Sequence, residues 1–158
     1  VGTGGMGSKV EAARRATCAG AYAVIADARR ADVVEAVLRG DDVGTLFVPQ
    51  GERLSARKYW IAFTLRPRGD LVLDEGATEA VRAGTKSVLA VGVLGVRGRF
   101  AAGDAVRIVD GKGLELGRGL ARCSAVDVLA VAGRSKEELE GTAAPDGVVV
   151  HKDDLVVR

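Results

Sequence analysis

Aromatic residues, cysteines and long apolar runs are all scarce in this sequence. Aromatic residues make up 4% of its 158 residues, and Cys18 and Cys123 are its two cysteines. A disulfide framework therefore cannot carry the fold, and a reducing compartment fits best. No run of about 18 apolar residues is present, and the N-terminus has none of the basic, apolar and cleavage regions of a secretory signal. We therefore expect a cytoplasmic protein without a membrane partner.

What is present is the composition of an ordinary globular protein. Hydrophobic residues account for 47% of the chain and charged residues for 28%, which excludes disordered, collagen-like and mucin-like classes. A chain of this length forms one or two domains and buries most of its apolar surface without metal or disulfide cross-links.

The charges are nearly balanced but unevenly distributed. The formal net charge is +2, from 23 basic and 21 acidic side chains. Residues 1–68 hold 11 basic and 7 acidic side chains, whereas residues 69–158 hold 12 basic and 14 acidic. A phosphate-binding function therefore belongs first to residues 1–68.

The order of elements in residues 1–68 indicates a layered α/β architecture. The pattern predicts helices over 9–19, 33–39 and 55–63 and strands over 21–26 and 43–48. Such alternation is typical of a mainly parallel sheet. In the third helix we expect Trp60 and Ile61 to face inward. Arg66-Pro67-Arg68-Gly69 then breaks the pattern, so we place a domain boundary between residues 68 and 69.

The sequence of residues 69–158 is typical of a small barrel of short strands. Asp74 and Gly84 are placed to begin and end a helix after a strand over 71–73. Asp110-Gly111-Lys112-Gly113 predicts a hairpin turn between strands over 105–109 and 114–122. Helices over 124–132 and 136–140 and strands over 148–150 and 155–157 complete a closed or half-closed β-barrel with helical inserts.

A glycine-rich segment ahead of the first helix is the most informative part of the sequence. It runs Gly2-Thr3-Gly4-Gly5-Met6-Gly7-Ser8-Lys9. Glycines let backbone amides converge on an anion, and a helix start adds unpaired N–H groups and partial positive charge. A lysine in the first turn is unfavourable against the helix dipole by about 0.3 to 1 kcal/mol, and a bound polyanion reverses that penalty. The segment therefore predicts a phosphate site.

Three phosphate motifs compete for this segment, and spacing separates them. The P-loop requires glycine directly followed by lysine, but here a serine lies between them, so that motif fails. The dinucleotide-binding fingerprint G-x-G-x-x-G is matched by Gly2, Gly4 and Gly7, and Asp27 ends the next strand at a distance suited to a ribose contact. That alternative leaves Lys9 without a function. A glycine-rich turn with a solvated lysine is the plainest interpretation.

The third motif brings a family resemblance. Gly-Thr-Gly-Gly-Met-x-Ser/Thr-Lys followed by an alanine-rich helix resembles the late nucleotide loop of glutamate 5-kinases, which belong to the amino acid kinase family. Further segments are similar to these enzymes in the same order: Val43-Gly44-Thr45-Leu46-Phe47, Arg57-Lys58-Tyr59-Trp60-Ile61, Asp74-Glu75-Gly76-Ala77, Gly92-Val93, Gly98-x-Phe100, Gly103-Asp104 and His151-Lys152-Asp153-Asp154. The resemblance covers essentially the whole chain.

The resemblance implies a fold and an activity. Residues 1–68 would be the C-terminal part of a Rossmann-like αβα amino acid kinase domain, and residues 69–158 a PUA-like β pseudo-barrel with helices. The family uses ATP and magnesium to phosphorylate the γ-carboxylate of L-glutamate. The product is γ-glutamyl phosphate, formed in the first step of proline biosynthesis.

The resemblance also implies roles for the glycine-rich segment. Lys9 would be catalytic and contact oxygens of the transferred phosphate. The cofactor-binding residues would be Thr3, Gly4, Gly5, Met6, Gly7, Ser8 and Lys9. These roles suit phosphoryl transfer, which asks a protein mostly to position charges and to neutralise developing negative charge.

Other catalytic parts of the family lie upstream of this motif: the first phosphate loop, a second lysine, the acidic residue that organises the lysines and the glutamate pocket. The sequence starts at Val1 and enters the glycine-rich segment at once. We therefore expect it to be the C-terminal part of a longer protein, inactive alone and homo-oligomeric when full length.

Few other residues suggest chemistry. His151 is the single histidine, and Asp153-Asp154 stands without further oxygen ligands nearby in sequence, so we assign no metal site. A basic cluster lies near the proposed boundary and comprises Arg57, Lys58, Arg66 and Arg68. Nucleotide phosphate, an acidic partner and water alone are its alternative partners, and a solvated helix face is the simplest interpretation.

A stand-alone RNA-binding module is the alternative from another functional class, because PUA domains bind RNA in other proteins. Residues 69–158 have an acidic excess and one aromatic residue, Phe100. They offer neither a phosphate path nor a stacking surface. RNA is therefore a disfavoured partner, and a regulatory or oligomer-supporting function is our preferred interpretation of this half.

Overall fold

The chain divides into two units of structure. The computed structural model describes residues 4–49, 54–84 and 86–157, and the chain groups into Val1–Ser55 and Ala56–Arg158. Helix α3 (Ala56–Phe63), which the sequence analysis assigned to residues 1–68, groups with the second unit. The domain boundary between residues 68 and 69 stays a prediction about the family's domains.

The first unit alternates helices and strands as the sequence predicts. Its elements are α1 (Met6–Cys18), β1 (Ala23–Ala26), α2 (Val33–Arg39) and β2 (Gly44–Phe47). Each helix is followed by a glycine at positive φ, Gly20 at 84° and Gly40 at 83°, a conformation that glycine adopts without strain. Asp32 precedes α2 as expected, but its carboxylate binds Arg30 and makes no cap hydrogen bond.

The two strands of the first unit pair antiparallel, which corrects the expectation of a mainly parallel sheet. Ala26, the last residue of β1, lies opposite Gly44, the first residue of β2. The connection through α2 therefore returns the chain to the end of the sheet that it left, and β2 runs back along β1. A parallel pair needs a crossover to the opposite end, and helix–strand alternation alone does not reveal which connection forms.

The second unit is built on short strands with helices beside them. Besides α3 it contains β3 (Gly69–Leu73), α4 (Glu75–Arg82), β4 (Val88–Leu89), β5 (Val93–Gly98), β6 (Ala105–Val109), β7 (Glu115–Leu120), α5 (Ala125–Val131), β8 (Val148–Val150) and β9 (Leu155–Val157). Short 3-10 turns lie at Ala90–Gly92, Lys136–Glu138 and Lys152–Asp154, the second of these where a helix over 136–140 was expected.

Five strands of this unit form one sheet, in the order β5-β3-β6-β7-β9. Strands β3 and β6 run parallel, and the other neighbours in the sheet are antiparallel. Strand β4 pairs with β8 in a separate two-stranded sheet. The two last strands that the sequence predicts therefore join different sheets. Within the described residues, no helix is long and apolar enough to cross a membrane.

Local side-chain interactions fix the ends of several elements. Asp74 accepts a hydrogen bond from the Ala77 amide at 2.7 Å where α4 begins, which confirms the predicted cap. Ser124 and Asp127 form a reciprocal capping box at α5. In the predicted hairpin, the Asp110 carboxylate accepts hydrogen bonds from the amides two and four residues further on, both at 2.9 Å. These interactions span few residues, which is why the sequence reveals them.

The core of the second unit forms where one face of β3 and β6 meets the helix α5. Leu71, Leu73 and Ile108 are fully buried, as is Val128 of α5. Alternate residues of a strand point to opposite faces, so the apolar residues of β3 reach the core while Asp70 points to the other face. Burial of such side chains is worth about 1.5–3 kcal/mol each.

Helix α3 buries one of the two side chains that were expected to face inward. Ile61 is fully buried, but Trp60 is 44% exposed. Consecutive helical residues lie about 100° apart around the axis, and the buried side of α3 is centred on Ile61 and Ala62. Trp60 is therefore turned toward solvent, and the expectation for it was wrong.

Gly92 allows the turn Ala90–Gly92 to approach α4 closely. A Cβ at residue 92 would collide with the Cβ of Ala77. We expect Gly92→Ala to lower the free energy of unfolding of the second unit by about 1–3 kcal/mol, as overpacking does in other cores. Urea denaturation measures the loss. Gly95→Ala is the matched control, because a Cβ there meets nothing within 4 Å; equal losses in both variants would contradict the packing argument.

The two cysteines are expected to differ in reactivity. Cys123 is 4% exposed, and burial raises the pKa of its thiol, whereas Cys18 is half-buried. Because the thiolate is the reactive form, a thiol reagent at neutral pH should modify Cys18 before Cys123 in the folded protein. Peptide mass spectrometry at successive times measures both rates, and denaturant should bring them together. Faster modification of Cys123 than of Cys18 in the native protein would contradict the argument from burial.

Candidate functional site

Helix α1 begins earlier than predicted, so half of the glycine-rich segment lies in its first turn. The helix runs Met6–Cys18, and Gly5 precedes it in an extended conformation with φ −74° and ψ −175°. The Ser8 hydroxyl donates a hydrogen bond to the Gly5 carbonyl at 2.7 Å and closes the turn. Met6, Gly7, Ser8 and Lys9 are therefore helical, which corrects the expectation that the helix starts at Lys9.

The N-terminus of α1 has the features of an anion site. Gly5 has no side chain to cap the helix, and no acidic residue lies in the first turn. A Cβ added at Gly5 or Gly7 would meet nothing within 4 Å, so the backbone at both residues faces open space. Gly4 is exposed at the same end of the helix, whereas Thr3 lies outside the described residues. Amides of a first helical turn in such a setting can donate to an anionic ligand.

Lys9 lies beside a cleft of about 850 Å³ in the first unit. Met6, Lys9 and Val10 line the cleft from α1. The strand side is lined by the end of β1 and the start of β2, through Ile25, Ala26, Asp27, Ala28, Val43, Gly44, Thr45 and Phe47. In α/β proteins, ligands bind in crevices where strand ends meet helix N-termini. The fold thus places the exposed Lys9 side chain at the edge of a crevice of this kind.

The acidic side of the cleft is already neutralised. Arg29 donates to both carboxylate oxygens of Asp27, from Nε at 3.0 Å and from a terminal nitrogen at 2.7 Å. The Arg29 side chain, together with its backbone amide, holds the pKa of Asp27 below its usual value. Asp27 thus enters the cleft as the partner of an exposed arginine rather than as a lone carboxylate beside Lys9.

The sequence predicted the residues that line the cleft from the helix, but not most of those that line it from the strands. Asp27 was singled out, but the residues at the start of β2 were not. Gly44 has a structural reason to be glycine, since an added Cβ would lie 2.5 Å from the Ile25 carbonyl oxygen. The signal was present in the run Val43-Gly44-Thr45, which appears among the family-like segments.

Two arginines of the basic cluster near the start of the second unit form ion pairs. Arg57 forms an ion pair with Asp154 at 2.5 Å, and Arg68 lies 3.4 Å from Asp104. Both side chains remain mostly exposed, at 60% for Arg57 and 69% for Arg68, so the expected solvated surface also carries exposed ion pairs. Exposed pairs of this kind contribute little to stability.

The residues considered for metal binding serve local structure instead. Nδ1 of His151 accepts a hydrogen bond from the Asp153 amide at 3.3 Å and caps the turn Lys152–Asp154. Across residues 4–49, 54–84 and 86–157, no group of three or more histidine, cysteine and acidic side chains is arranged to hold a metal ion.

Comparison with known proteins assigns part of the second unit to a family. A family model described as the PUA domain matches residues 69–141. Among solved structures, the crystal structure of a PUA domain from Aeropyrum pernix K1 aligns with 53% of this chain and 41% of its own, at 24% identity and a TM-score of 0.42.

Similarity to curated proteins extends over the whole chain. The glutamate 5-kinase of Syntrophotalea carbinolica is 44% identical over 161 residues, which cover 100% of this chain and 43% of that protein. The glutamate 5-kinase of Gloeobacter violaceus is 46% identical over 160 residues, covering 98% of this chain and 43% of that protein. The chain thus spans less than half the length of these relatives. Along its whole length the chain is therefore similar to glutamate 5-kinases, and its residues 69–141 match the PUA domain.

Proposed function

We propose that this chain is part of an enzyme that phosphorylates the γ-carboxylate of L-glutamate with ATP. Identity of 42–47% to glutamate 5-kinases along the whole chain is the observation that carries the proposal. The uncapped start of α1 and the cleft beside Lys9 support it. The glycine-rich segment fits a nucleotide phosphate, because the space beside Gly5 and Gly7 is open.

Within this proposal, the glycine-rich segment binds ATP through both its backbone and its side chains. Amides at the start of α1, near Gly4 and Gly5, would hold the phosphates of ATP. Thr3, Met6, Gly7 and Ser8 would line the same nucleotide. ATP bound with magnesium would supply the phosphoryl group, and the metal would supply positive charge that neutralises the phosphates.

Lys9 would contribute to catalysis through its positive charge. Its ammonium group stands at the positive end of α1, where it is unfavourable in the absence of an anion. Negative charge on the transferred phosphoryl group would remove that penalty, and the benefit is largest where the charge is greatest in the transition state. Lys9 would therefore raise the turnover number more than it raises substrate affinity.

The remaining parts of the catalytic site would come from sequence that this chain does not contain. The chain spans 43% of the first relatives it matches, and its described residues contain no acidic cluster suited to magnesium. Recognition of L-glutamate, the second catalytic lysine, homo-oligomer formation and a place in the cytoplasm and in proline biosynthesis all belong to the proposal for the longer enzyme.

The first test of this proposal is a chimera. The segment of the Syntrophotalea carbinolica relative that aligns with this chain is replaced by the chain, and glutamate-dependent formation of γ-glutamyl phosphate is measured as the hydroxamate. We expect turnover by the chimera and none by the isolated 158-residue chain. Clear turnover by the isolated chain would show that the catalytic site is complete within it. A folded but inactive chimera would contradict the functional assignment.

The second test concerns Lys9 in the same chimera. Lys9→Ala should lower the turnover number by about 100-fold or more, as loss of one group aimed at transition-state charge does elsewhere, with a smaller change in the Michaelis constant for ATP. Arg14→Ala is the control, because Arg14 is an exposed cation on the same helix and does not line the cleft. Equal effects of the two substitutions would mean that Lys9 contributes only general surface charge.

A further inference from the structure

Three arginines and one aspartate form a row across the outer face of the five-stranded sheet. Arg97 on β5 lies opposite Asp70 on β3, Asp70 lies beside Arg107 on β6, and Arg107 lies opposite Arg118 on β7. Since residues in register point to the same face, their side chains meet although they are far apart in the sequence. We call Arg97, Arg107 and Arg118 the arginine row.

A carboxylate holds the middle arginine in place. Arg107 donates from Nε to one oxygen of Asp70 at 2.7 Å and from a terminal nitrogen to the other at 2.8 Å. Asp70 is only 7% exposed, so its partner is well fixed. A guanidinium has five N–H groups, and this bidentate contact uses two of them. The remaining N–H groups of Arg107, whose side chain is 47% exposed, are left for another acceptor.

Arg118 is held in a similar way by two different groups. Its Nε donates to Glu115 at 2.9 Å, and a terminal nitrogen donates to the Ala62 carbonyl at the end of α3 at 3.0 Å. Its second terminal nitrogen is not used by either bond. Two rigidly held guanidinium groups thus stand side by side on neighbouring strands, an arrangement in which like charges repel.

Arg97 completes the row without a partner of its own. Its side chain is exposed, and it forms no hydrogen bond or ion pair with the part of the chain that the structure describes. The arginine row lines a cleft of about 460 Å³ together with Arg68, Asp70 and Glu115. Four guanidinium groups and two carboxylates line the cleft. Arg68 is also paired with Asp104 outside the lining, so Arg97 supplies the positive charge that is not already balanced by a carboxylate.

We propose that this cleft is a binding site for the phosphate group of a small anionic molecule. A phosphate accepts several hydrogen bonds at once and matches the planar fork of arginine, and it would relieve the repulsion between Arg107 and Arg118. Phe100, the single aromatic residue of 69–158, is buried at 6% exposure and does not line the cleft. A base-stacking surface is therefore not part of it, which favours a small anion over a nucleic acid. The proposal does not rest on the kinase activity.

The test titrates the 158-residue chain with inorganic phosphate by calorimetry, with chloride added to keep the ionic strength constant. We expect a saturable component of the binding that Arg97→Gln weakens about tenfold or more, because a charge-assisted hydrogen bond is lost; this dependence on Arg97 separates it from any binding at the start of α1. Arg97→Gln should leave the thermal midpoint without phosphate unchanged, since the Arg97 side chain forms no hydrogen bond with the described residues. Arg99→Gln is the matched control: Arg99 is also exposed and nearby, but it does not line the cleft.

Each outcome decides for or against the site. Tight phosphate binding by the unchanged chain and by Arg99→Gln, with loss in Arg97→Gln, supports it. Absence of saturable binding, or equal weakening in both variants, overturns it, because attraction by net charge alone would then account for the result. A structured RNA that binds through Arg97 and is not displaced by inorganic phosphate would also overturn it, in favour of a nucleic acid.

Discussion

Strand β3 places apolar and charged side chains on opposite faces of the same sheet, and the second unit is organised around that alternation. Leu71 and Leu73 point into the core with no exposed surface, while Asp70 points outward and holds Arg107. The strand is hydrogen-bonded on both sides, to β5 and β6, so its register positions two neighbours at once. A slip of one residue would turn Asp70 into the apolar core, away from Arg107, and turn both leucines out of it, which is why the core and the arginine row depend on the same pairing.

The first unit depends on a different constraint, the unsatisfied amides at the start of a helix. Gly5 leaves α1 without a side-chain cap, whereas Asp74 and Ser124 cap helices of the second unit. A side-chain cap in place of glycine stabilises a helix by roughly a few tenths of a kcal/mol. The missing cap at α1 is therefore a local cost to stability, and open space around Gly5 and Gly7 is what a ligand-binding helix start requires.

Features that depend on a few consecutive residues could be predicted from the sequence, and features that depend on distant pairing could not. The Asp74 cap and the glycine-rich segment with Lys9 were found because each is contiguous. The antiparallel pairing of β1 and β2 was missed, since the direction of a strand is set by the whole connection before it. The same limit applies to Asp70 and Arg107, which are 37 residues apart and meet only through strand order and register. The exposure of the Trp60 side chain was not predicted, because the apolar character of a residue does not by itself show which face of a helix is buried.

The two proposed phosphate sites use different cations, and the difference follows from what each site has to do. Lysine is a compact charge on a flexible stem, which suits a phosphoryl group that moves between a donor and an acceptor. Lys9 is exposed and beside a large cleft, so its ammonium group has the freedom to follow such a movement. Arginine is a rigid fork, and Arg107 and Arg118 are each fixed by two further hydrogen bonds. Groups held in that way cannot follow a moving charge, but they lose little entropy on binding a stationary one. The arginine row is therefore suited to recognising an anion and unsuited to transferring it.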